Sequence, residues 1–231
     1  MTKDFSRLEK QLGVKFKKRE LLTQALVHRS YLNENPRFET GHNERLEFLG
    51  DAVLELVVTE YLYKNYENPE GELTNWRAAL VNSKMLAKLA QKLKIENFLY
   101  LSRGEAKDGN SKARQFILAN AFEALVGAIY LDGGYKKAQT FILKNLIVEL
   151  DEILTHKLYL DPKSRFQELS QEYVGVTPVY KVLAESGPDN NKRFAMGVFI
   201  GEKLVASGDG SSKQEAEENA AEAGLKEKGW E

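Results

Sequence analysis

An apolar helix that carries one carboxylate constrains this chain more than any other feature. In ILANAFEALVGAIY, residues 117–130, apolar residues recur at helical spacing and cover every side of the helix. A helix that is apolar all round is expected to be buried. Its polar positions, Asn120 and Glu123, lie one turn apart on one face. Burying an ionised glutamate alone costs several kcal/mol, so Glu123 needs a compensating partner.

Two glycines indicate where that partner approaches. Gly127 continues the face of Asn120 and Glu123 without a side chain, and Gly50 is equally small within HNERLEFLGDAVLEL, residues 42–56. A missing side chain lets a second helix come close. We therefore expect these two helices to pack face to face.

The second helix carries an acidic face of its own. With Glu44 at 0° and about 100° per residue, Glu47 falls near 300° and Asp51 near 340°. Such a stripe is most often a solvated face, and that alternative stays open. Packed against Asn120 and Glu123, it would form an oxygen-rich pocket whose repulsion a hard divalent cation relieves. The pattern thus predicts Mg²⁺, with Mn²⁺ as a substitute.

Iron chemistry is the competing design for carboxylates in a helical bundle. Di-iron sites use Glu-x-x-His pairs. The histidines are His28, His42 and His156, and none follows a glutamate by three residues. An unrelated helical metalloprotein joined to an accessory domain nevertheless remains one hypothesis.

Residues 5–155 are expected to form an all-helical domain. Turn chemistry separates the helices at 35–36, 68–71, 108–110 and 132–134, and Thr74 and Asn82-Ser83 are plausible N-caps. The pattern changes at Asp161-Pro162, a cap followed by a first-turn proline. We predict a first domain over 1–155, a linker over 156–161 and a second domain over 162–231.

The second domain alternates at period two in three stretches. VYKVLAESG, RFAMGVFIG and KLVASGDG follow one helix and precede another, SSKQEAEENAAEAGLKEK. Strands without crossover helices between them indicate an antiparallel sheet. The predicted fold class is therefore a helical domain followed by an α-β-β-β-α domain.

Four segments, in order, resemble the ribonuclease III family. HNERLEFLGD (42–51) resembles the signature segment of that family, and ILANAFEALVGAIYLD (117–132) resembles its second acidic segment. ALVHRSY (25–31) and GELTNWRAALVNSKMLAKLA (71–90) are also similar to family segments. The domain over 162–231 looks like a double-stranded-RNA-binding domain. The resemblance covers nearly the whole chain.

The resemblance implies an endoribonuclease that hydrolyses double-stranded RNA with two metal ions, leaving 5′-phosphate and 3′-hydroxyl ends with short 3′ overhangs. Glu44, Asp51 and Glu123 match catalytic positions. Where the family usually has an aspartate, this chain has Asn120. The amide oxygen can still bind a hard cation, but one charge is lost. The expected metal ligands are Glu47, Asp51, Asn120 and Glu123. The alternative is a double-stranded-RNA-binding dimer that Asn120 leaves weakened or inactive.

The resemblance also implies two kinds of contact with macromolecules. Phe48 lies near 40°, beside the acids, and is expected to enter a pocket of a second subunit. Two related sites would then cut opposite strands of one duplex. The expected RNA contacts are Gln167, Glu168, Pro188, Asn190, Asn191, Lys192, Ser212, Lys213 and Gln214.

Charge opposes RNA binding in the second domain. From Pro162 to Glu231, nine Lys and Arg stand against twelve Asp and Glu, a net charge of −3. Asn191 and Gln214 also replace a histidine and a lysine that are common in such domains. The start of the last helix still offers free amides and Lys213. We expect weak, salt-sensitive binding from this domain alone.

Composition suggests the cellular setting. The chain has no cysteine, which suits a reducing cytoplasm. Its first residues, MTKDFSRLEKQLGVKF, lack the apolar core of a signal peptide, and no run approaches the roughly 20 apolar residues of a membrane helix. We expect a cytoplasmic enzyme of RNA processing with no membrane partner and no small-molecule cofactor.

Overall fold

The chain forms two compact units. The computed structural model describes residues 3–109, 111–188 and 192–230. Described residues up to Leu154 make up the first unit, and those from Thr155 onward make up the second. Residues 156–161, the predicted linker, group with the second unit, and their role as a linker stays a prediction.

The first unit is helical, as predicted. Helices account for the apolar segments at three and four spacing, and two short 3-10 helices, Ile95–Phe98 and Ile147–Glu149, lie between them. The α-helices are α1 (Ser6–Leu12), α2 (Arg19–Ala25), α3 (Arg29–Glu34), α4 (Glu44–Asn65), α5 (Glu70–Val81), α6 (Ser83–Lys92), α7 (Arg103–Lys107), α8 (Lys112–Asn145) and α9 (Leu150–Thr155).

One of the two predicted N-caps is confirmed. The Asn82 side chain accepts the amide of Met85 at 2.9 Å and caps α6. Thr74 is not a cap, because it lies inside α5, which begins after Pro69. Its hydroxyl bonds the Glu70 carboxylate at 3.3 Å, one turn back along the same helix. Proline has the fixed φ that suits a helix start and needs no amide partner, so α5 begins earlier than predicted.

The turn signal at 132–134 appears as a sharp kink within α8. Gly134 has φ 75° and ψ −177°, and a positive φ of this kind favours glycine. The preceding Asp132 is buried and accepts the amides of Lys17 and Lys18 at 2.8 Å each. Lys137 Nζ lies 2.7 Å from its other oxygen. The Asp132 carboxylate therefore connects the residues just before α2 to the kinked part of α8.

The long helix α8 is the core of the first unit. Its residues from Ile117 to Ile129 are buried apart from Asn120 and Glu123, as the apolar pattern predicts. Among the described residues, only the stretch Lys112–Thr155 is long and apolar enough to cross a membrane by length and composition. Of its most apolar window, 67% is buried inside the protein. Such burial is the usual condition of a core helix.

The second unit has the predicted order of elements. It consists of α10 (Pro162–Val174), β1 (Val179–Ser186), β2 (Arg193–Ile200), β3 (Lys203–Gly210) and α11 (Lys213–Lys228). The strands form one antiparallel sheet in the order β1-β2-β3. Residues of both helices and the sheet share one core, Phe166, Val198, Ala220, Ala221 and Leu225. Asp161 caps α10 by accepting the amides of Lys163 and Ser164. The predicted fold class is confirmed.

Candidate active site

The two glycines set the closest approach between α4 and α8. A Cβ added to Gly50 would lie 1.8 Å from the carbonyl oxygen of Glu123. A Cβ added to Gly127 would lie 2.2 Å from the carbonyl oxygen of Leu46. Both distances are far below van der Waals contact, so the backbones touch where these side chains are missing. The predicted close packing of the two helices is confirmed.

The crossing brings the acidic face of α4 to the polar face of α8. The Asn120 amide donates a hydrogen bond to the Glu47 carboxylate. Glu123 lies close enough to Asp51 and Glu47 for both carboxylates to repel its own charge. The acidic face of α4 and the polar pair of α8 therefore face each other across the crossing, while a common cation site and the roles of these residues as metal ligands stay predictions.

The electrostatics of this cluster favour the protonated forms of Glu123 and Glu47. Burial, followed by repulsion from Asp51 and then from Glu47, raises the pKa of Glu123 to about 8. Burial also raises the pKa of Glu47, followed by repulsion from Glu44, and the Asn120 hydrogen bond opposes the rise. Among the described residues, no basic side chain contributes to the pKa shift of Glu123. A nearby positive charge would favour the ionised forms of these acids.

Glu44 lies at the rim of the cluster. Its carboxylate oxygens are 3.7 Å from Arg29 Nη1 and 3.7 Å from His42 Nδ1. Its side chain is about half exposed. Glu44, like Asp51, is an exposed member of the cluster, whereas Glu47 and Glu123 are partly buried.

The donor set suits a hard divalent cation. Its members offer carboxylate or amide oxygens, the ligands that Mg²⁺ takes. Among the described residues, no three aspartate, glutamate or histidine side chains are already gathered as ligands of one cation. Mutual repulsion opposes tighter convergence of the acids. The Asn120 amide uses its nitrogen for the hydrogen bond to Glu47, and its oxygen is the atom that would bind a cation.

An apolar stripe runs along the outer side of α4. Phe48, the predicted dimer contact, is 81% exposed. Tyr63 is 79% exposed and Leu56 57% exposed. At about 100° per residue the three side chains fall within roughly 80° of one another. Sequence reasoning missed Leu56 and Tyr63, although their helical phase relative to Phe48 could have identified them.

A cleft lies at the far end of this stripe. It has a volume of about 630 Å³ and lies between the end of α4 and the start of α5. Tyr63 belongs to both the stripe and the cleft wall. The other main wall residues are Leu62, Tyr66, Leu73, Thr74 and Arg77. The sequence offered no signal for this cleft, because two helices form it.

The predicted RNA contacts lie on three elements of the second unit. Gln167 and Glu168 are exposed on α10, and Pro188 and Lys192 are exposed at either side of the β1–β2 connection. Asn190 and Asn191 lie outside the described residues. Ser212, Lys213 and Gln214 are exposed at the start of α11. The pairing of Phe194 with Gly210 puts the β1–β2 connection and the α11 start at the same end of the sheet.

The start of α11 combines a cap with an ion pair. The Ser212 hydroxyl accepts the amide of Glu215 at 3.1 Å. Lys213 Nζ lies 3.0 Å from Glu185 Oε1 on β1. Sequence reasoning gave Lys213 a role toward phosphates and missed this acidic partner, which lies far away in the chain.

The comparisons with known proteins cover both units. Residues 18–150 match the family model described as ribonuclease-III-like, and residues 162–228 match the double-stranded RNA binding motif. Ribonuclease 3 of Nitratiruptor sp. is 43% identical over 225 residues, which are 97% of this chain and 96% of that protein. The chain belongs to the ribonuclease III family. Ribonuclease 3 of Dehalococcoides mccartyi is 42% identical over 226 residues, 97% of this chain and 94% of that protein.

Two solved structures of a ribonuclease III nuclease domain are also similar to this chain. One from Campylobacter jejuni is 41% identical, covers 64% of this chain and 96% of that domain, and has a TM-score of 0.55. Another from the same organism, described for flexibility in a region involved in dimer formation, is 42% identical and has a TM-score of 0.54. It covers 62% of this chain and 98% of that domain. The hypothesis of an unrelated metalloprotein is therefore wrong for this ribonuclease III.

Proposed function

We propose that this member of the ribonuclease III family is an endoribonuclease that cleaves double-stranded RNA with Mg²⁺, or Mn²⁺ in its place. The observation that carries the proposal is the environment of Glu123. Its carboxyl is partly buried and lies near the carboxylates of Asp51 and Glu47. Burial and the two negative charges together raise its pKa to about 8. Such a site is stabilised by a cation that takes its charge. The ligands we propose are Glu47, Asp51, Asn120 and Glu123.

Each acidic side chain of the site has a separate role in the proposed reaction. Glu123 would lose its proton when a cation binds, because its raised pKa makes the neutral form dominant at neutral pH. Asp51 would hold the cation together with Glu123, and Glu44 would face the substrate from the rim. Bound divalent cations would activate water and stabilise the leaving oxygen, giving 5′-phosphate and 3′-hydroxyl ends. The glycine crossing keeps these groups in register on two rigid helices.

The second unit would deliver the duplex. Domains of this kind recognise the A-form shape, spanning about 16 base pairs with little sequence preference. The surfaces that we propose are α10, the β1–β2 connection and the start of α11. A net charge of −3 from Pro162 to Glu231 predicts weak binding that falls as the salt concentration rises.

We further propose a homodimer built on α4. Phe48 lies at one end of the apolar stripe and the cleft beside Tyr63 lies at the other. A twofold axis near Leu56 would place each Phe48 at the cleft of its partner, an isologous arrangement. Two sites facing opposite strands would leave short 3′ overhangs. Such an enzyme would process ribosomal and messenger precursors in the cytoplasm.

The decisive experiment compares duplex and single-stranded RNA as substrates. The protein is incubated with each in Mg²⁺, in Mn²⁺ and in a chelator, alongside Glu123→Ala. We expect metal-dependent cutting of the duplex alone, loss of cutting in the variant, and product ends that accept ligation at a 5′-phosphate. Cutting of single strands, or metal-independent cutting, would contradict the proposal.

A second candidate function rests on Asn120. Its amide already bonds Glu47, and it contributes no charge to the site. A protein that binds duplex RNA but no longer cuts it would have this property. Binding without cutting by the natural protein, together with cutting by Asn120→Asp, would favour this alternative.

A further inference from the structure

An ion pair holds the first lysine of α11 against the sheet. Lys213 Nζ is 3.0 Å from Glu185 Oε1 and 5.6 Å from the centre of the Phe194 ring. Glu185 pairs with Phe194 across β1 and β2, and Phe194 pairs with Gly210 across β2 and β3. The Lys213 ammonium therefore folds back over the end of the sheet and reaches the Glu185 carboxylate on β1.

The ion pair with Glu185 occupies the positive charge of Lys213, to which an RNA phosphate would otherwise bind. A helix start offers unpaired amides and the positive end of the helix dipole. The Ser212 hydroxyl already takes the amide of Glu215, and the Glu215 carboxylate turns back onto the amide of Ser211 at 2.9 Å. Lys213 is the basic side chain at this point of the helix. Glu185 and an RNA phosphate would compete for it.

We propose that Glu185 sets the affinity and the salt sensitivity of this unit for double-stranded RNA by pairing with Lys213 until a phosphate displaces it. The inference rests on the proposed RNA-binding function and deepens it by naming a residue that limits binding. The side chains of Lys213 and Glu185 are 55% and 37% exposed. An exposed pair of this kind opens at little cost. Glu185 thus weakens binding without blocking it.

The displaced carboxylate has a second effect. Once Lys213 has turned to a phosphate, Glu185 stays near the RNA as an uncompensated negative charge and attracts a cation from solution. Binding then releases fewer counterions than the same contact would without Glu185. Because the salt dependence of binding counts released counterions, Glu185 makes that dependence shallower.

The test uses the full chain, a duplex of about 20 base pairs and a chelator, so that binding is measured without cleavage. Fluorescence anisotropy gives the dissociation constant of the natural protein and of Glu185→Gln across a range of KCl concentrations. We expect Glu185→Gln to bind about two- to fivefold more tightly at low salt. The slope of log affinity against log salt should steepen by up to about one unit.

Two further variants isolate the ion pair. Glu202→Gln removes the same charge from the exposed turn beyond the Ile200–Lys203 pair, at the other end of the sheet, and should bind like the natural protein. Lys213→Gln should bind more weakly, and adding Glu185→Gln to it should increase the affinity less than Glu185→Gln does alone. Circular dichroism checks that each variant is folded.

The outcomes separate the inference from the function beneath it. If the natural protein binds duplex RNA and Glu185→Gln binds no better than Glu202→Gln, the inference fails and RNA binding stands. A gain that is equally large in the Lys213→Gln background also overturns it, because the effect would then not pass through Lys213. If no protein binds duplex RNA, the proposed function and the inference both fall.

Discussion

Under the proposed function, Asn120 is the ligand whose side chain carries no charge. Its side chain is neutral, donates to Glu47 and faces Glu123 one turn along α8. A neutral amide spares the site one more repulsion, yet it offers a cation less charge than a carboxylate does. Stability without metal and affinity for metal are therefore opposed at this position.

We predict that Asn120→Asp lowers the Mg²⁺ concentration for half-maximal cleavage roughly tenfold, about 1.4 kcal/mol in metal binding. The added carboxylate supplies the charge that the amide lacks. A Mg²⁺ titration of duplex cleavage measures it. The matched control is Asn97→Asp, which adds the same charge at an exposed position far along the chain. An unchanged midpoint in Asn120→Asp would contradict the ligand role of this residue.

Glu123 should make the metal-free protein less stable as pH rises. The folded protein keeps the Glu123 proton up to a pKa of about 8, whereas the ordinary value is 4.5. Between these values the folded state binds more protons than the unfolded state, so the free energy of unfolding falls with rising pH and levels off above about 8. Partial exposure screens the effect, and we expect a fall of about 1–2 kcal/mol.

Urea unfolding in a chelator at pH 5, 6.5 and 8 measures this dependence. Glu123→Gln has no proton to lose, so its profile should be flatter by the contribution of Glu123. Equal slopes for the two proteins would show that Glu123 titrates normally in the folded state.

At the scale of elements, the α4–α8 crossing decides whether the acids form one site. The helices touch through backbone at Gly50 and Gly127, so the spacing of the carboxylates follows from two missing side chains. Gly134 ends the straight part of α8 with a positive φ, and Asp132 fastens that kink to the chain before α2. The site is thus held at its crossing and anchored beyond it.

We predict that Gly50→Ala lowers the free energy of unfolding by about 3 kcal/mol and weakens metal binding as well, because a methyl group must push α8 away. Gly71→Ala is the control. Gly71 lies in α5 with nothing within 4 Å of its added Cβ, so alanine there should stabilise by up to about 1 kcal/mol. Thermal unfolding of both variants tests the pair. A tolerated Gly50→Ala would mean that the helices can separate freely.

At the scale of the whole molecule, the unit that carries the acids also carries an exposed apolar surface, which we propose as the contact with a second copy. Phe48, Leu56 and Tyr63 leave large apolar area on one side of α4, and a cleft follows them. Exposed apolar patches of this kind mark interaction sites. The same helix therefore serves catalysis on one face and, as we propose, assembly on another.

We predict that Phe48→Ala raises the dissociation constant of the dimer at least about a hundredfold, because each dimer loses two aromatic side chains that would enter the partner's cleft. Val148→Ala is the control, since Val148 is 58% exposed on a different element and should leave the dimer unchanged. Sedimentation equilibrium measures both. Equal association of Phe48→Ala and the natural protein would exclude the stripe as the interface.

Local patterns in the sequence predicted most of the elements and the membership of the acidic cluster. Helical spacing identified the buried part of α8, period-two stretches identified β1 to β3, and Asp161-Pro162 marked the start of α10. Glu123 could be identified as needing partners, because the cost of burying charge is visible from one apolar helix. Thr74 was mistaken for a cap because Pro69 competes for the same helix start.

Only the tertiary structure decided what surrounds each of those groups. The extent to which Asp51 and Glu47 raise the pKa of Glu123, the cleft beside Tyr63 and the pairing of Glu185 with Lys213 all join residues of different elements. Propensity, capping and periodicity act over a few residues along the chain. Distances between segments far apart in sequence depend instead on how whole helices and strands pack, and electrostatic effects at these sites follow those distances.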